Sequence, residues 1–300
     1  MAWSLKRTVL ALPFSGHVSP VWAVQLRHLI LPAPGTLVTV FGTIPLSHAR
    51  DTAVNMAKNM GAEYIAWLDS DVVVEVPDAF VLLTSIANTL GDKVAVVSGL
   101  YRQKIPPYNV HAYYLPALGS PMVSIPSSVD CKSVAELRKE IGKQLERKEI
   151  INVFEIMGKL YYIDEENNEV KCNRFPNKFN VFNKEYKGRM FGDIVAIEVD
   201  GTGMGLAVTN IDAILAVEGE CEKRRMNKSA DELWSPCRHI FEFTRYGEDL
   251  TFALRAKELG YEVWAAEVWG KHLYEFMVSS KGIEALQIPF SASSFLPSST

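Results

Sequence analysis

The sequence predicts an α/β fold, a mainly parallel sheet flanked by helices, interrupted by an inserted α+β segment. Three observations predict it. Through the first 100 residues short apolar runs alternate with segments of helical period, which is how βα units read in sequence. The run "EYIAWLD" at 63–69 is unbroken in its apolar character, as a strand covered on both faces must be. From residue 193 the alternation resumes after a stretch that breaks it.

"TVLALPF" (8–14) reads as the first strand. Ser19 and Pro20 then form an N-cap and first helical residue, with Trp22, Leu26 and Leu29 on one helical face. "TLVTVFG" (36–42) is the second strand. Ser47 caps a helix through "HARDTAVNMAKNM", stopped by Gly61 where a left-handed residue is wanted. After "EYIAWLD", Pro77 opens a helix over "DAFVLLTSIANTL", and "KVAVVSGL" follows as a fourth strand. Residues 101–190 break the rhythm with prolines, the pair Tyr113 and Tyr114, a charged helix "SVAELRKEIGKQLERKE" and the polar turn "DEENNE" between "KLYYI" and "VKC". They read as an insertion or accessory subdomain. "DIVAIEVDGTGMGLAVTNIDAIL" (193–215) then gives a strand, a glycine-rich loop and a helix. "YGEDLTFALRAKELG" (246–260) is an amphipathic helix with two acids at its start, followed by a strand "YEVWAA" and the segment "EVWGKHL". Residues 1–290 are expected to form one domain, and the biased tail "SASSFLPSST" (291–300) to be disordered.

With 300 residues, 48% of them hydrophobic, the chain can bury a substantial core. Its formal charge of −4 offers no basic surplus for phosphate backbones or anionic membranes, which argues against nucleic acid as the main partner. Lys6 and Arg7 precede only a short apolar stretch, so neither a signal peptide nor a transmembrane segment is expected. Cys131, Cys172, Cys221 and Cys237 contain no CxxC pair, so a zinc ribbon or dithiol redox motif is unsupported. They are expected to be reduced and the chain cytoplasmic, a Cys221–Cys237 bridge being open only to an oxidising compartment.

The chemistry centres on Asp69 and Asp71. A bare Asp-x-Asp carries little information, but this one stands at the end of an apolar strand. In an extended strand end the two side chains point the same way, beyond the carboxyl edge where open α/β sheets bind ligands. Two like charges so close call for a cation, and carboxylate oxygens suit Mg²⁺ or Mn²⁺. A solvated strand end with two turn-forming acids is the bland alternative.

Taken together, "SHARDTAVNMAKNMGAEYIAWLDSDVVV", "DGTGMGLAVTN", "GEDLTFALRAKELGYEVW" and "GKHL" resemble the GT-A (Rossmann-like) fold of nucleotide-sugar glycosyltransferases, family 2 in particular. The resemblance covers roughly residues 8–100 and 193–273. It implies an enzyme of hexosyltransferase type that uses Mn²⁺ or Mg²⁺, a nucleotide-sugar donor and a hydroxyl-bearing acceptor on a glycan, lipid or protein. By the same resemblance Asp71 holds the metal with His272, and Asp69 stands nearer the ribose. An imidazole among the ligands favours Mn²⁺. Pro13, Phe14, Ser15, Arg50, Asp69 and Ser70 fall at nucleotide-contact positions, although Asp51 stands where the family's "ARN" triplet has asparagine. Glu248 and Asp249 match the "ED" motif, whose aspartate is the general base that deprotonates the acceptor and so inverts the anomeric carbon. A helix N-terminus independently favours an ionised carboxylate there, and helix capping is its ordinary alternative.

"DGTGMG" lacks a P-loop lysine. Its Gly201, Thr202, Gly203 and Met204 are candidate sugar contacts, or else a turn needing unusual dihedrals. Trp269 can stack on a sugar face, while His17, His48, His111 and His239 are expected to be structural. "WLDSDVV" also resembles the nucleophile motif of haloacid-dehalogenase-type phosphatases, with Asp69 as nucleophile, but two βα units precede it and Glu248, Asp249 and His272 would be unused. A non-catalytic sugar- or nucleotide-binding protein on the same scaffold is the third reading.

Overall fold

The computed structural model describes residues 7–14, 18–32, 36–41, 46–104, 108–127, 136, 139, 153–156, 158–164, 169–171, 175–226, 232–273, 277–279 and 282–284. In chain order they form β1 (Thr8–Phe14), α1 (Pro20–Gln25), β2 (Thr36–Phe41), α2 (Leu46–Asn59), β3 (Tyr64–Leu68), β4 (Val72–Val74), α3 (Ala79–Leu90) and β5 (Val94–Leu100). Next come β6 (Val110–Tyr114), β7 (Val123–Ile125), β8 (Val153–Ile156), β9 (Lys159–Asp164), β10 (Glu169–Lys171), β11 (Lys178–Val181), β12 (Lys184–Phe191) and β13 (Ile194–Val199). The remainder is β14 (Gly201–Thr202), β15 (Leu206–Asn210), α4 (Ile211–Met226), α5 (Glu248–Glu258), β16 (Glu262–His272), β17 (Met277–Ser279) and β18 (Gly282–Glu284).

The main sheet runs β11-β12-β13-β16-β5-β15-β3-β1-β2. β1 pairs in parallel with β2 and β3, and β5 with β16. β15 lies antiparallel between β3 and β5, so those five strands share one direction and their carboxyl ends one edge. Burial follows the period of two that a pleated strand imposes. Ile65 and Trp67 of β3 face one core layer with Ala53, Val54 and Ala57 of α2, Ile214 of α4 and Phe252 of α5. Tyr64, Ala66 and Leu68 face the other, with Trp22 of α1 and Phe80, Leu83 and Ile86 of α3. The Trp67 indole N–H, fully buried, donates to Thr209 Oγ1 at 3.0 Å, so the ring enters the core without an orphaned donor.

The expectation of a mainly parallel sheet is corrected: the sheet is mixed. "LAVTN", read as part of a glycine-rich loop and helix, is β15 at the centre of the sheet. It runs antiparallel because β14 pairs along β6 and delivers the chain to the carboxyl edge, from which it must turn back. "YEVWAA" and "EVWGKHL" form one strand with a register shift between Ala266 and Trp269. The segment 101–190 is not set apart from the core. Its β11 and β12 extend the main sheet through antiparallel pairing with β13, while β8, β9 and β10 make a separate small sheet. Of the charged helix only Glu136 and Lys139 are described, and the tail 291–300 lies outside the described residues. α2 starts at Leu46, so Ser47 is inside the helix, and Gly61 takes the expected positive φ of 65°.

Cys221 and Cys237 are disulfide-bonded, correcting the expectation of reduced cysteines. Their Cα atoms lie 5.3 Å apart, within the range a bridge requires. The bridge ties α4 to the segment that leads into α5. That segment is also held by Arg255 of α5, which donates to the Leu233 and His239 carbonyls and pairs with Glu242 at 3.0 Å. Among the described residues no helix is long and apolar enough to cross a membrane.

Candidate active site

Asp69 and Asp71 lie on a tight turn between β3 and β4 rather than on an extended strand end, so each meets its own partners. The turn is pinned from three sides. Asp69 N–H donates to the Gly205 carbonyl at 3.0 Å, and the Asp69 carbonyl accepts from Val72 N–H at 3.1 Å and from the Trp22 indole at 2.8 Å. β4 then pairs with the last residues of β16, setting His272 opposite Val72, and Leu273 N–H donates to the Asp71 carbonyl at 2.6 Å. Residues two hundred apart in sequence thereby meet at the carboxyl edge of the sheet.

Beneath the turn lies Arg50. In α2 it is in phase with Ala53, Val54 and Ala57, so it faces the core, and its side chain has no solvent exposure. Its Nη2 is 3.4 Å from Asp69 Oδ1 and 3.1 Å from Asp249 Oδ1. Asp249 stands in the first turn of α5, but it does not cap that helix. Its Oδ2 instead accepts from Met204 N–H at 2.8 Å, across to the glycine-rich segment. Burial pushes the Asp249 carboxyl up to about 6, against the opposing pull of the Arg50 charge, with the Glu248 carboxylate adding to the rise. Burial likewise pushes Asp69 up to about 7, Arg50 again opposing and Asp249 and Asp71 reinforcing. Two carboxylates share one guanidinium, so neither is fully compensated.

Around Asp71 the partners are different. Lys104 Nζ pairs with Asp71 Oδ2 at 2.5 Å. His272 Nδ1 lies 2.6 Å from the Arg102 carbonyl, and because a carbonyl only accepts, Nδ1 carries the proton and Nε2 presents a bare lone pair. Burial lowers the His272 pKa, which keeps the ring neutral. His111 packs edge-on against His272 with ring centroids 5.4 Å apart, and Tyr101 lies 4.9 Å from His272. The Gln103 amide donates to the Tyr113 hydroxyl at 3.1 Å, which leaves that hydroxyl to donate to His111 Nδ1 at 2.9 Å. Burial, then the neighbouring His272, pushes His111 down to about 3.

The structure thus brings Asp69, Asp71, His272, Arg50, Glu248 and Asp249 to one edge. Ser70 is half-buried in the turn between the aspartates. Gly201, Thr202, Gly203 and Met204 are all buried. A Cβ at Gly203 would collide with the Tyr101 hydroxyl, one at Gly205 would come within 3.0 Å of it, and one at Gly201 within 2.9 Å of Met122 and Leu250. The glycines therefore let Tyr101 pack flat against the backbone, and its hydroxyl accepts from Gly205 N–H at 2.8 Å. Thr202 Oγ1 donates to the His111 carbonyl at 2.8 Å. Trp269 is half-buried in β16 with its indole nitrogen unpartnered among the described residues. Pro13 is buried within β1 opposite Val40. Phe14 ends β1 at the same edge, and Ser15 lies outside the described residues. Asp51 turns away from its neighbour Arg50 to pair with His239 at 2.8 Å. Sequence reasoning missed Tyr101, Lys104 and Tyr113 and set His111 aside as structural. The available signal was position, since Tyr101 directly follows β5 and so shares the edge where β3 ends.

The donor set fits a divalent ion in kind. His272 holds its Nδ1–H on a backbone carbonyl, which is how metal-ligating histidines are oriented, and Asp71 already binds a cation, the Lys104 ammonium. Among the described residues, however, no three His, Cys, Asp or Glu side chains are gathered closely enough to enclose a metal.

No family model matches the chain, and no curated protein matches it. Among solved structures, the crystal structure of A197 from STIV aligns over 92% of this chain and 91% of that chain, with a TM-score of 0.45 and 15% identity.

Proposed function

We propose that the protein is a metal-dependent, inverting glycosyltransferase of GT-A type, moving a sugar from a nucleoside diphosphate to an acceptor hydroxyl. The observation that carries this reading is convergence: the Asp69–Asp71 turn, His272 and Asp249 reach one sheet edge from three distant parts of the chain. Asp249 is the group suited to accept the acceptor's proton. Its carboxyl, raised to about 6, is ionised at neutral pH yet basic enough to take a proton, and its orientation is fixed by Arg50 and Met204 N–H. Glu248, buried at the start of α5, keeps that basicity up through its own charge.

Asp71 and His272 are the residues that would hold Mn²⁺ or Mg²⁺, with Asp69, which Arg50 engages, beside them rather than closing a three-residue cage, and the ion would supply charge to offset the diphosphate as it leaves. The chain's own contribution is to hold a neutral imidazole and an anionic turn in place before the donor arrives. Lys104 is a second positive group in the same region, positioned to meet phosphate once it releases Asp71. The acceptor would be a glycan, lipid or protein hydroxyl. A cytoplasmic location belongs to the same reading, with the Cys221–Cys237 bridge restricting it to a cytoplasm that keeps disulfides, of which the intracellular proteins of hyperthermophiles are the known case.

Calorimetry with UDP-, GDP- and dTDP-sugars, with and without Mn²⁺, tests the proposal. At least one donor is expected to bind in a metal-dependent way, and Asp249→Asn to bind it while losing transfer. Absence of metal-dependent binding across the panel ends the transferase reading. Retained transfer in Asp249→Asn removes the base from it.

A further inference from the structure

We infer that Arg50 is the positioning residue of this site, one buried guanidinium that holds Asp69 and Asp249 in a fixed mutual relation. The naming of one carboxylate as donor-side and the other as acceptor-side rests on the transferase reading; the brace itself does not.

Four observations carry it. First, Arg50 cannot serve as a surface contact for a nucleotide, because its side chain is fully buried under the turn that carries Asp69. Second, a single nitrogen, Nη2, lies 3.4 Å from Asp69 and 3.1 Å from Asp249, residues that no hydrogen bond of the main sheet links to each other. Third, the guanidinium carbon sits 5.2 Å from the Trp67 ring centroid and 5.9 Å from that of Phe241, so aromatic rings restrict where it can go. Fourth, Nε and Nη1 have no hydrogen-bond partner among the described residues. A buried arginine with unmet donors is expensive, and an apolar residue in phase with Ala53 and Val54 would pack the same space more cheaply. Stability alone does not explain the residue, whereas the two carboxylates do.

Lysine cannot reproduce this. A guanidinium is planar and stacks on Trp67 while pointing a nitrogen at the acids; an ammonium on a flexible stem does not. The consequence is mechanical linkage. Any ligand that draws Asp69 toward itself pulls on the group that orients Asp249, so loading one side of the site and placing the carboxylate on the other are coupled, and the coupling is reciprocal.

The test uses urea denaturation of the full chain and its variants Arg50→Met, Asp69→Asn, Asp249→Asn, Arg50→Met/Asp69→Asn and Arg50→Met/Asp249→Asn. Arg50→Met is expected to lower the midpoint by stranding two largely buried acids, and either Asp→Asn change in that background is expected to raise it again. Strictly additive midpoints would overturn the brace. If Arg50→Met fails to fold, the double variants must still fold; their failure also overturns it. Arg50→Lys supplies the kinetic arm, with kcat falling roughly 10- to 100-fold as the carboxylate is misplaced and the donor KM staying within about threefold. A raised donor KM at unchanged kcat would instead put Arg50 on the nucleotide. Should no variant or wild-type sample transfer sugar, the transferase reading fails, and the denaturation pattern still decides the brace.

Discussion

Asp249→Asn is expected to abolish transfer and, at alkaline pH, to make the protein more stable. The folded state raises the Asp249 carboxyl to about 6 from an ordinary 3.8, chiefly because burial penalises the charge. An acid whose pKa is raised on folding contributes stability that is fully present below its unfolded value. That stability is lost as pH rises through the folded value, here between about pH 4 and 7. That rise corresponds to about 3 kcal/mol, an upper figure because a fifth of the side chain meets solvent. Asparagine is the neutral isostere, and its carbonyl can still accept from Met204 N–H. Arg50 retains Asp69, so the substitution leaves one cation facing one anion. Urea titrations of both proteins at pH 4 and pH 8 should show equal stability at the first and an advantage of roughly 1–3 kcal/mol for Asp249→Asn at the second. Lower stability of the variant at pH 8, or the same offset at both pH values, would refute the argument that ionising this carboxylate is what the fold pays for. In the wild type the acid limb of kcat/KM is expected near pH 6 for the same reason.

Lys104→Ala should tighten Mn²⁺ binding, because the ammonium on Asp71 competes for the same carboxylate. The pair is substantially exposed, so the gain is limited to roughly two- to fivefold, read by calorimetry with Mn²⁺ alone, and weakened binding would count against competition. Replacing Cys221 and Cys237 by serine should cost about 3 kcal/mol in urea unfolding, since the bridge closes a loop of 16 residues. The same loss is expected on adding a reductant to the wild type, and none on adding it to the variant. Gly203→Ala should cost about 1–3 kcal/mol, because the new methyl meets the Tyr101 hydroxyl rather than open space. An unchanged urea midpoint with a raised sugar KM would return that segment to substrate contact.

What was legible in the sequence and what was not divides along a physical line. β3 and β5 announce themselves by apolar runs buried from end to end, β1 by a similar run and α3 by an apolar run that buries one face, and they lie where the pattern put them. β15 was hidden because "LAVTN" passes straight into α4 with no intervening turn residue, and five apolar-to-polar letters fit a helix start as readily as a strand. The strands of 178–191 were hidden because they add to an edge of the sheet, where one face is wet and burial alternates, as in Phe179 and Val181 against Lys178 and Asn180. At the site, Asp69 and Asp71 could be found by their place at the end of an apolar strand, whereas Asp249 and His272 were marked by the family resemblance, with the helix N-terminus as added support for Asp249. The brace was within reach as well. Arg50 shares helical phase with Ala53, Val54 and Ala57, and a cation on an apolar face asks for a buried anion. What sequence spacing could not supply is the partner. That Arg50 meets both Asp69 and Asp249, that Lys104 meets Asp71, and that the glycines serve Tyr101 all depend on sheet order, which brings β3, β5 and β16 together only after β15 has been threaded between two of them.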